Sequence, residues 1–256
     1  MNPLLALIGA AGALATPIAP AAAQTLPVTS PPAPLGTVEF GHPVMDNLIF
    51  VHGIIDQLEG GTDGRVPELR WSAQGWIGTD YDKFRVKTEG QRRNNGEIDD
   101  GRHEFLYSRA VSTYFDLQTG LRSDLDSWRV RNWAAFGFQG LEPLFVEVEG
   151  TAYVSDKGHV AARFEGSYDL LLTNRLILEP KIEVNLQSAA DRARLVGAGL
   201  TDIEAGLRLR YEFTRKFAPY IGVSCDGKFG QTASLARGAG ESTSEVRFVF
   251  GVRSWF

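Results

Sequence analysis

From about residue 50 onward the chain alternates. In residues 201–213, Ile203, Ala205, Leu207, Leu209, Tyr211 and Phe213 take every second position, and Asp202, Glu204, Gly206, Arg208, Arg210 and Glu212 take the rest. Successive side chains of a strand point to opposite faces, so this spacing predicts a strand with one apolar and one charged face. The same pattern sets Ile182, Val184 and Leu186 against Lys181, Glu183 and Asn185, and Val146 and Val148 against Glu147 and Glu149. It also sets Val160, Ala162 and Phe164 against Ala161, Arg163 and Glu165. Such segments recur at 50–59, 69–79, 83–92, 102–111, 116–124, 132–140, 145–154, 160–171, 176–187, 201–213, 218–229 and 244–256, predicting twelve strands. Most are long enough for a tilted strand to cross a bilayer core. The first, FVHGIIDQLE, alternates poorly, and its facing stays open.

The connections alternate too. Those near Asp80, Tyr114, Pro143, Asn174 and Lys216 are tight turns, whereas 60–68, 93–101, 125–131, 188–200 and 230–243 are longer and polar; only 155–159 breaks the order. Short turns at one end and long loops at the other are the habit of an outer-membrane barrel, and a sandwich has no reason to keep them. Aromatics beside the short turns, at Tyr81, Tyr114, Phe115, Phe145, Phe217 and Tyr220, suit an interfacial girdle.

The last run, EVRFVFGVRSWF, places Val246, Phe248, Phe250, Val252 and Phe256 on one side and Glu245, Arg247, Gly251, Arg253 and Trp255 on the other. Its closing Phe256 resembles the C-terminal assembly signal of bacterial outer-membrane proteins, which implies the barrel assembly machinery as a partner. Facing lipid, a midplane Arg or Lys would cost about 2–4 kcal/mol. Glu147, Glu149, Arg163, Glu165, Lys181, Glu183, Arg208 and Arg210 are therefore expected to line the lumen as a mixed-charge network, with outer-membrane lipid against the apolar face. A soluble barrel of reversed facing leaves the terminal aromatic and the loop asymmetry unexplained.

Residues 4–19 are apolar and small, and Ala21 to Ala23 precede Gln24 as a cleavage site, so 1–23 reads as a secretory signal peptide. Residues 24–48 contain five prolines and few bulky apolar side chains, which predicts an extended periplasmic segment ahead of a barrel over 49–256. Past residue 23 nothing is apolar for long enough to be a transmembrane helix, so a membrane crossing falls to the strands. With 26 basic and 31 acidic residues, no basic surplus marks a nucleic-acid surface. The single Cys225 excludes an intrachain disulfide or a cysteine-rich metal site.

Candidate chemistry is sparse. No G-x-S-x-G nucleophile motif is present, and His103 and His159 are the only histidines near barrel loops, so no enzymatic activity is expected. In HPVMDN, however, His42, Met45 and Asp46 lie within five residues, and His52 follows. Thioether with imidazole suits Cu(I), and imidazole with carboxylate suits Cu(II). The plain alternative for this stretch is a linker.

Together with IIDQLEG, KTEG, YSRAVS, FDLQTGLRSD, WAAFGFQGLEPLFVEVEGTAYV, LLLTNRLILEPKIEVNL, GLTDIEAGLRLRYE, KFAPYIGV and the closing strand, HPVMDN resembles the copper-resistance protein B family (CopB and PcoB) of Gram-negative bacteria. The resemblance spans nearly all of residues 42–256. It implies a protein of the outer membrane that binds copper ions or passes them across it, with a CopA-like periplasmic multicopper oxidase among its partners. Many relatives carry a long Met- and His-rich segment ahead of the barrel. Here only His42 and Met45 stand there, and the chain has two Met in all. The competing reading is a small-solute porin without copper specificity, against which the interleaved acids and bases favour a narrow or gated lumen.

Overall fold

The computed structural model describes residues 48–62, 67–93, 98–126, 129–141 and 146–256. Thirteen strands and one helix follow in order: β1 (Phe50–Thr62), β2 (Pro67–Gly78), β3 (Asp82–Arg93), β4 (Ile98–Ala110), β5 (Phe115–Asp126), β6 (Arg129–Leu141), β7 (Val146–Ser155), β8 (Val160–Tyr168), β9 (Leu170–Leu171), β10 (Leu176–Gln187), β11 (Gly199–Tyr211), β12 (Phe217–Lys228), α1 (Gly230–Gly238) and β13 (Ser244–Trp255). β8 and β9 both pair with β10 and form one wall segment interrupted at Asp169, so the wall has twelve staves. Each pairs antiparallel with its neighbours, and β13 returns to β1, with Ile54 opposite Trp255 and Thr62 opposite Phe248. Closure leaves the sheet without an unpaired edge.

The strands extend past the apolar alternation toward the long loops; β4, for instance, begins at Ile98 rather than near Arg102. Ladder hydrogen bonds join backbone to backbone and continue after the apolar pattern has ended. The short turns have a local cause. Thr79 Oγ1 accepts from the backbone N–H groups of Tyr81 and Asp82 at 3.3 and 3.1 Å. Ser112 does the same for Tyr114 and Phe115, and Thr173 for Arg175 and Leu176. A hydroxyl at the turn's start satisfies two amides that the ladder leaves free.

The pleat separates the faces. On β13, Phe248 and Phe250 are 69% and 64% exposed, whereas Arg247 and Val249 are each 4% exposed. The poor alternation of β1 also has a cause. Its pairing with β2 shifts register between Ile55 and Gln57, a β-bulge that places Asp56 and Gln57 both against the lumen cavity. Past the bulge, Glu59 is 1% exposed and Leu58 faces outward. The seam with β13 is held beyond that strand as well: Phe256 N–H donates to Gly53 O and Gly53 N–H to Phe256 O, both at 2.9 Å. The phenyl ring lies where a side chain at Gly53 would stand, 2.8 Å from an added Cβ.

Two details differ from the sequence reading. Tyr220 does not join an outer girdle; it is buried inside, where its hydroxyl donates to Glu59 at 3.0 Å. Its even position on β12 puts it on the Ala218 and Ser224 face, a parity that its nearness to a turn obscures. Phe145 lies outside the described residues. Within 230–243, read as loop, α1 forms and buries Thr232, Ala233 and Ala236. Nine residues are too few to display helical periodicity, and the helix is held from outside: Gly197 N–H donates to Thr232 Oγ1 and Ala198 N–H to Gln231 Oε1, both at 2.9 Å.

Single-cysteine labelling checks the two faces. A lipid-confined maleimide is expected to react at Leu207→Cys, where the native side chain is exposed on the outer wall, and not at Arg208→Cys, where it is buried inside. Reaction at position 208 alone would invert the wall.

Candidate functional site: the charged barrel interior

Inward side chains from opposite walls meet. The hub is Arg163 on β8, whose guanidinium lies 3.1 Å from Glu89 on β3, 2.9 Å from Glu165 and 2.8 Å from Glu183 on β10. β3 and β8 are five steps apart around the wall, so this side chain crosses the lumen. Arg102 on β4 joins the same carboxylates, 2.9 Å from Glu89 and 3.9 Å from Glu183. Lys181 pairs with Glu165 at 2.7 Å, and Lys87 on β3 reaches Glu149 on β7 at 2.7 Å. The planar guanidinium presents a fork of donors, and Arg163 uses it to serve three acids at once.

A second cluster lies beside it. Arg208 on β11 donates through Nε and Nη2 to the two oxygens of Glu59 on β1, each at 3.2 Å. Arg70 on β2 grips Glu204 on β11 at 2.9 and 3.1 Å, and Ser224 donates to the same carboxylate at 3.0 Å. Toward the long-loop end, Asp124 gathers Arg122 at 2.6 Å, the Trp133 indole N–H at 3.0 Å and Arg194 at 3.9 Å. Arg194 belongs to the 188–198 loop, and Asp191 of that loop pairs with Arg131 on β6. The loop thus reaches inward across the wall's rim.

Toward the short-turn end the packing loosens. A cavity of about 80 Å³ is lined by seven carboxylates, Asp56, Glu89, Glu147, Glu149, Glu165, Asp169 and Glu179, against the three cations Lys87, Lys181 and Arg253. Arg253 lies 3.5 Å from Asp56 and 3.8 Å from Asp169, and Arg210 lies 2.6 Å from Asp169 and 2.5 Å from Glu179. Glu147 makes no ion pair among the described residues. Arginines around the lining answer most of these acids, Arg210 for Asp169 and Glu179 and Arg163 for Glu89 and Glu165, so the chamber is a polar, mixed-charge space.

Of the residues singled out in the sequence, Glu149, Arg163, Glu165, Lys181 and Glu183 fall in the Arg163 lattice. Arg208 lies in the Glu59 cluster, Arg210 at the short-turn mouth and Glu147 on the cavity. The alternation sets Glu204 on a charged face without naming its partner, and it does not single out Glu59, Arg70, Glu89 or Arg102. Glu89 was within reach, since Lys87, Glu89 and Gln91 alternate in KTEGQ; Glu59 was hidden by the bulge. His42 and Met45 lie outside the described residues. His52 stands near the short-turn end, its ring centroid 6.0 Å from those of both Trp76 and Trp255. Among the described residues, no group of three His, Cys, Asp or Glu is placed to hold a metal ion.

Comparison with known proteins places this barrel. The family model "Copper resistance protein B precursor (CopB)" matches residues 49–256, the whole barrel. The chain is 45% identical over 216 residues to Copper resistance protein B of Escherichia coli, covering 84% of this chain and 73% of that protein. It is 42% identical over 220 residues to a Copper resistance protein B homolog of Pseudomonas syringae pv. tomato, covering 86% and 74%. Among solved structures, the NanC porin superposes with a TM-score of 0.54 at 13% identity, covering 77% of this chain and 98% of that one, a likeness of fold alone. A closed twelve-stave barrel of outer-membrane type, matched along its whole wall by one family model and over most of the chain by two curated relatives, belongs to the copper resistance protein B family.

Proposed function

We propose that this protein sits in the outer membrane and handles copper ions as cargo, binding them or passing them across that membrane. Family membership supports the cargo, and the cross-lumen lattice above a mixed-charge chamber supports the manner. With the short turns facing the periplasm, as in other barrels of this kind, the chamber opens toward that side. Residues 1–23 direct export, and 24–48 remain periplasmic ahead of the barrel.

His42 and Met45, joined by His52 at the periplasmic mouth, are the proposed copper contacts. Two or three soft or borderline ligands make a transient site, suited to exchanging the ion with a CopA-like multicopper oxidase rather than storing it. A strain carrying His42→Ala with Met45→Ala is expected to lose copper tolerance at normal barrel levels. Unchanged tolerance would assign the copper work to the lumen carboxylates or to partner proteins.

The porin reading rests on the fold likeness alone, and the bridged lumen disfavours it. Proteoliposomes holding the purified barrel separate the two. Copper flux well above that of sodium or a small sugar is expected, and equal flux of all three would establish an unspecific porin.

A further inference from the structure

The cations of the barrel interior at the short-turn end, Arg210 and Arg253, are paired, but three exposed cations on the turns beside them are not. Arg175, Arg215 and Lys216 are exposed, and none makes an ion pair among the described residues. They lie on neighbouring turns, between β9 and β10 and between β11 and β12, joined where Glu212 N–H donates to Arg175 O at 2.8 Å. Lys216 O accepts from the Ser254 hydroxyl at 2.9 Å, and its Nζ lies 5.4 Å from the Trp255 ring, which ties the end of β13 into the group. Beside them the outer wall is apolar, with Leu171 and Phe213 each 63% exposed. The turn between β2 and β3 has the opposite character, carrying Asp80 and Asp82. The two turns thus differ in sign, although Glu212 shares with Arg215 the lining of the short-turn mouth.

Unpaired cations at the border of an apolar wall match a ligand with a phosphate at one end and hydrocarbon at the other. Guanidinium and ammonium groups hold the phosphate while long side chains extend to the interface. Free phosphate, or an acidic protein segment, would leave the apolar wall unused. We propose that this sector binds the headgroup of an anionic phospholipid of the inner leaflet, with its acyl chains along Leu171 and Phe213. The proposal rests on the reading that the apolar wall faces lipid.

The full barrel in nanodiscs of equal phosphatidylglycerol and phosphatidylethanolamine, ejected into a native mass spectrometer, tests this without copper. Phosphatidylglycerol is expected to be retained in preference, and Arg175→Gln with Arg215→Gln and Lys216→Gln to lower that preference roughly ten-fold or more. Arg192→Gln, in a long loop, is expected to keep it. Retention of both lipids in proportion to supply, or a triple variant with native preference, would overturn the proposal. Should the triple variant fail to assemble, the native barrel still decides. Its preference is expected to vanish at high salt, and persistence there would overturn the electrostatic origin. Displacement of the lipid by soluble polyglutamate that binds in its place would overturn the proposal in favour of an acidic protein partner. None of these outcomes bears on copper flux, which is measured separately.

Discussion

Arg163→Ala is expected to destabilise the barrel by about 3–5 kcal/mol, read as a lower unfolding midpoint in urea with lipid vesicles. The guanidinium is the common partner of Glu89, Glu165 and Glu183, so its loss leaves three carboxylates facing one another in a confined space. Arg102 and Lys181 still serve these acids from the sides, but neither replaces the central crossing. The same variant is expected to raise ionic conductance in planar bilayers, since it cuts the link between β3 and β8. Replacing Arg163 with Met and the three acids with Gln together is expected to recover most of the stability while leaving conductance high. Native conductance in the single variant would mean that the lattice does not obstruct the lumen.

Gly120→Val is expected to be the most damaging substitution of similar size, preventing stable closure at a cost of more than about 4 kcal/mol. Gly120 lies opposite Leu106, and an added Cβ would collide with the Phe105 carbonyl oxygen, a backbone atom of the paired strand. The backbone of a paired strand cannot step aside without breaking its ladder, so the β4–β5 pairing would have to part. Gly166→Ala offers a contrast within the same wall, because its nearest neighbour stands 3.7 Å away in the Ile182 side chain. Heat-modifiable mobility distinguishes them, with the folded band expected for Gly166→Ala and lost for Gly120→Val.

Much of this architecture was legible in the sequence because a wall between two unlike media imposes a two-residue repeat on every strand. β11 displays it from Asp202 onward, past a register shift at Thr201, and β10 falls on the bounds its pattern gave, at 176–187. Where the repeat is broken, the facing of a side chain cannot be read from its position in the sequence. One extra residue in β1 shifts the phase, and with it went Glu59, the partner of Arg208 and Tyr220. Which charges meet was not legible in the same way. Arg163 and Glu89 are 74 residues apart, and their contact depends on the curvature and stagger of the wall, which no local pattern encodes. For His42 and Met45 only ligand chemistry speaks, since they lie outside the described residues.

The seam between β1 and β13 governs how such a wall comes into being. Its residues are the most distant in the barrel, as in the pairing of Ile54 with Trp255, whereas every other seam joins neighbours in sequence. The entropy of closing so long a ring is modest at equilibrium, since each doubling of length adds only about 0.6 kcal/mol. Kinetically it is severe, because local hairpins form early and the first and last strands must then find each other. Until they do, the growing sheet has two bare edges, each able to take a strand from another chain. The slow step of this protein's biogenesis is therefore a search by two sheet edges for one another, and a cell that makes it in quantity must shelter both edges while the search lasts.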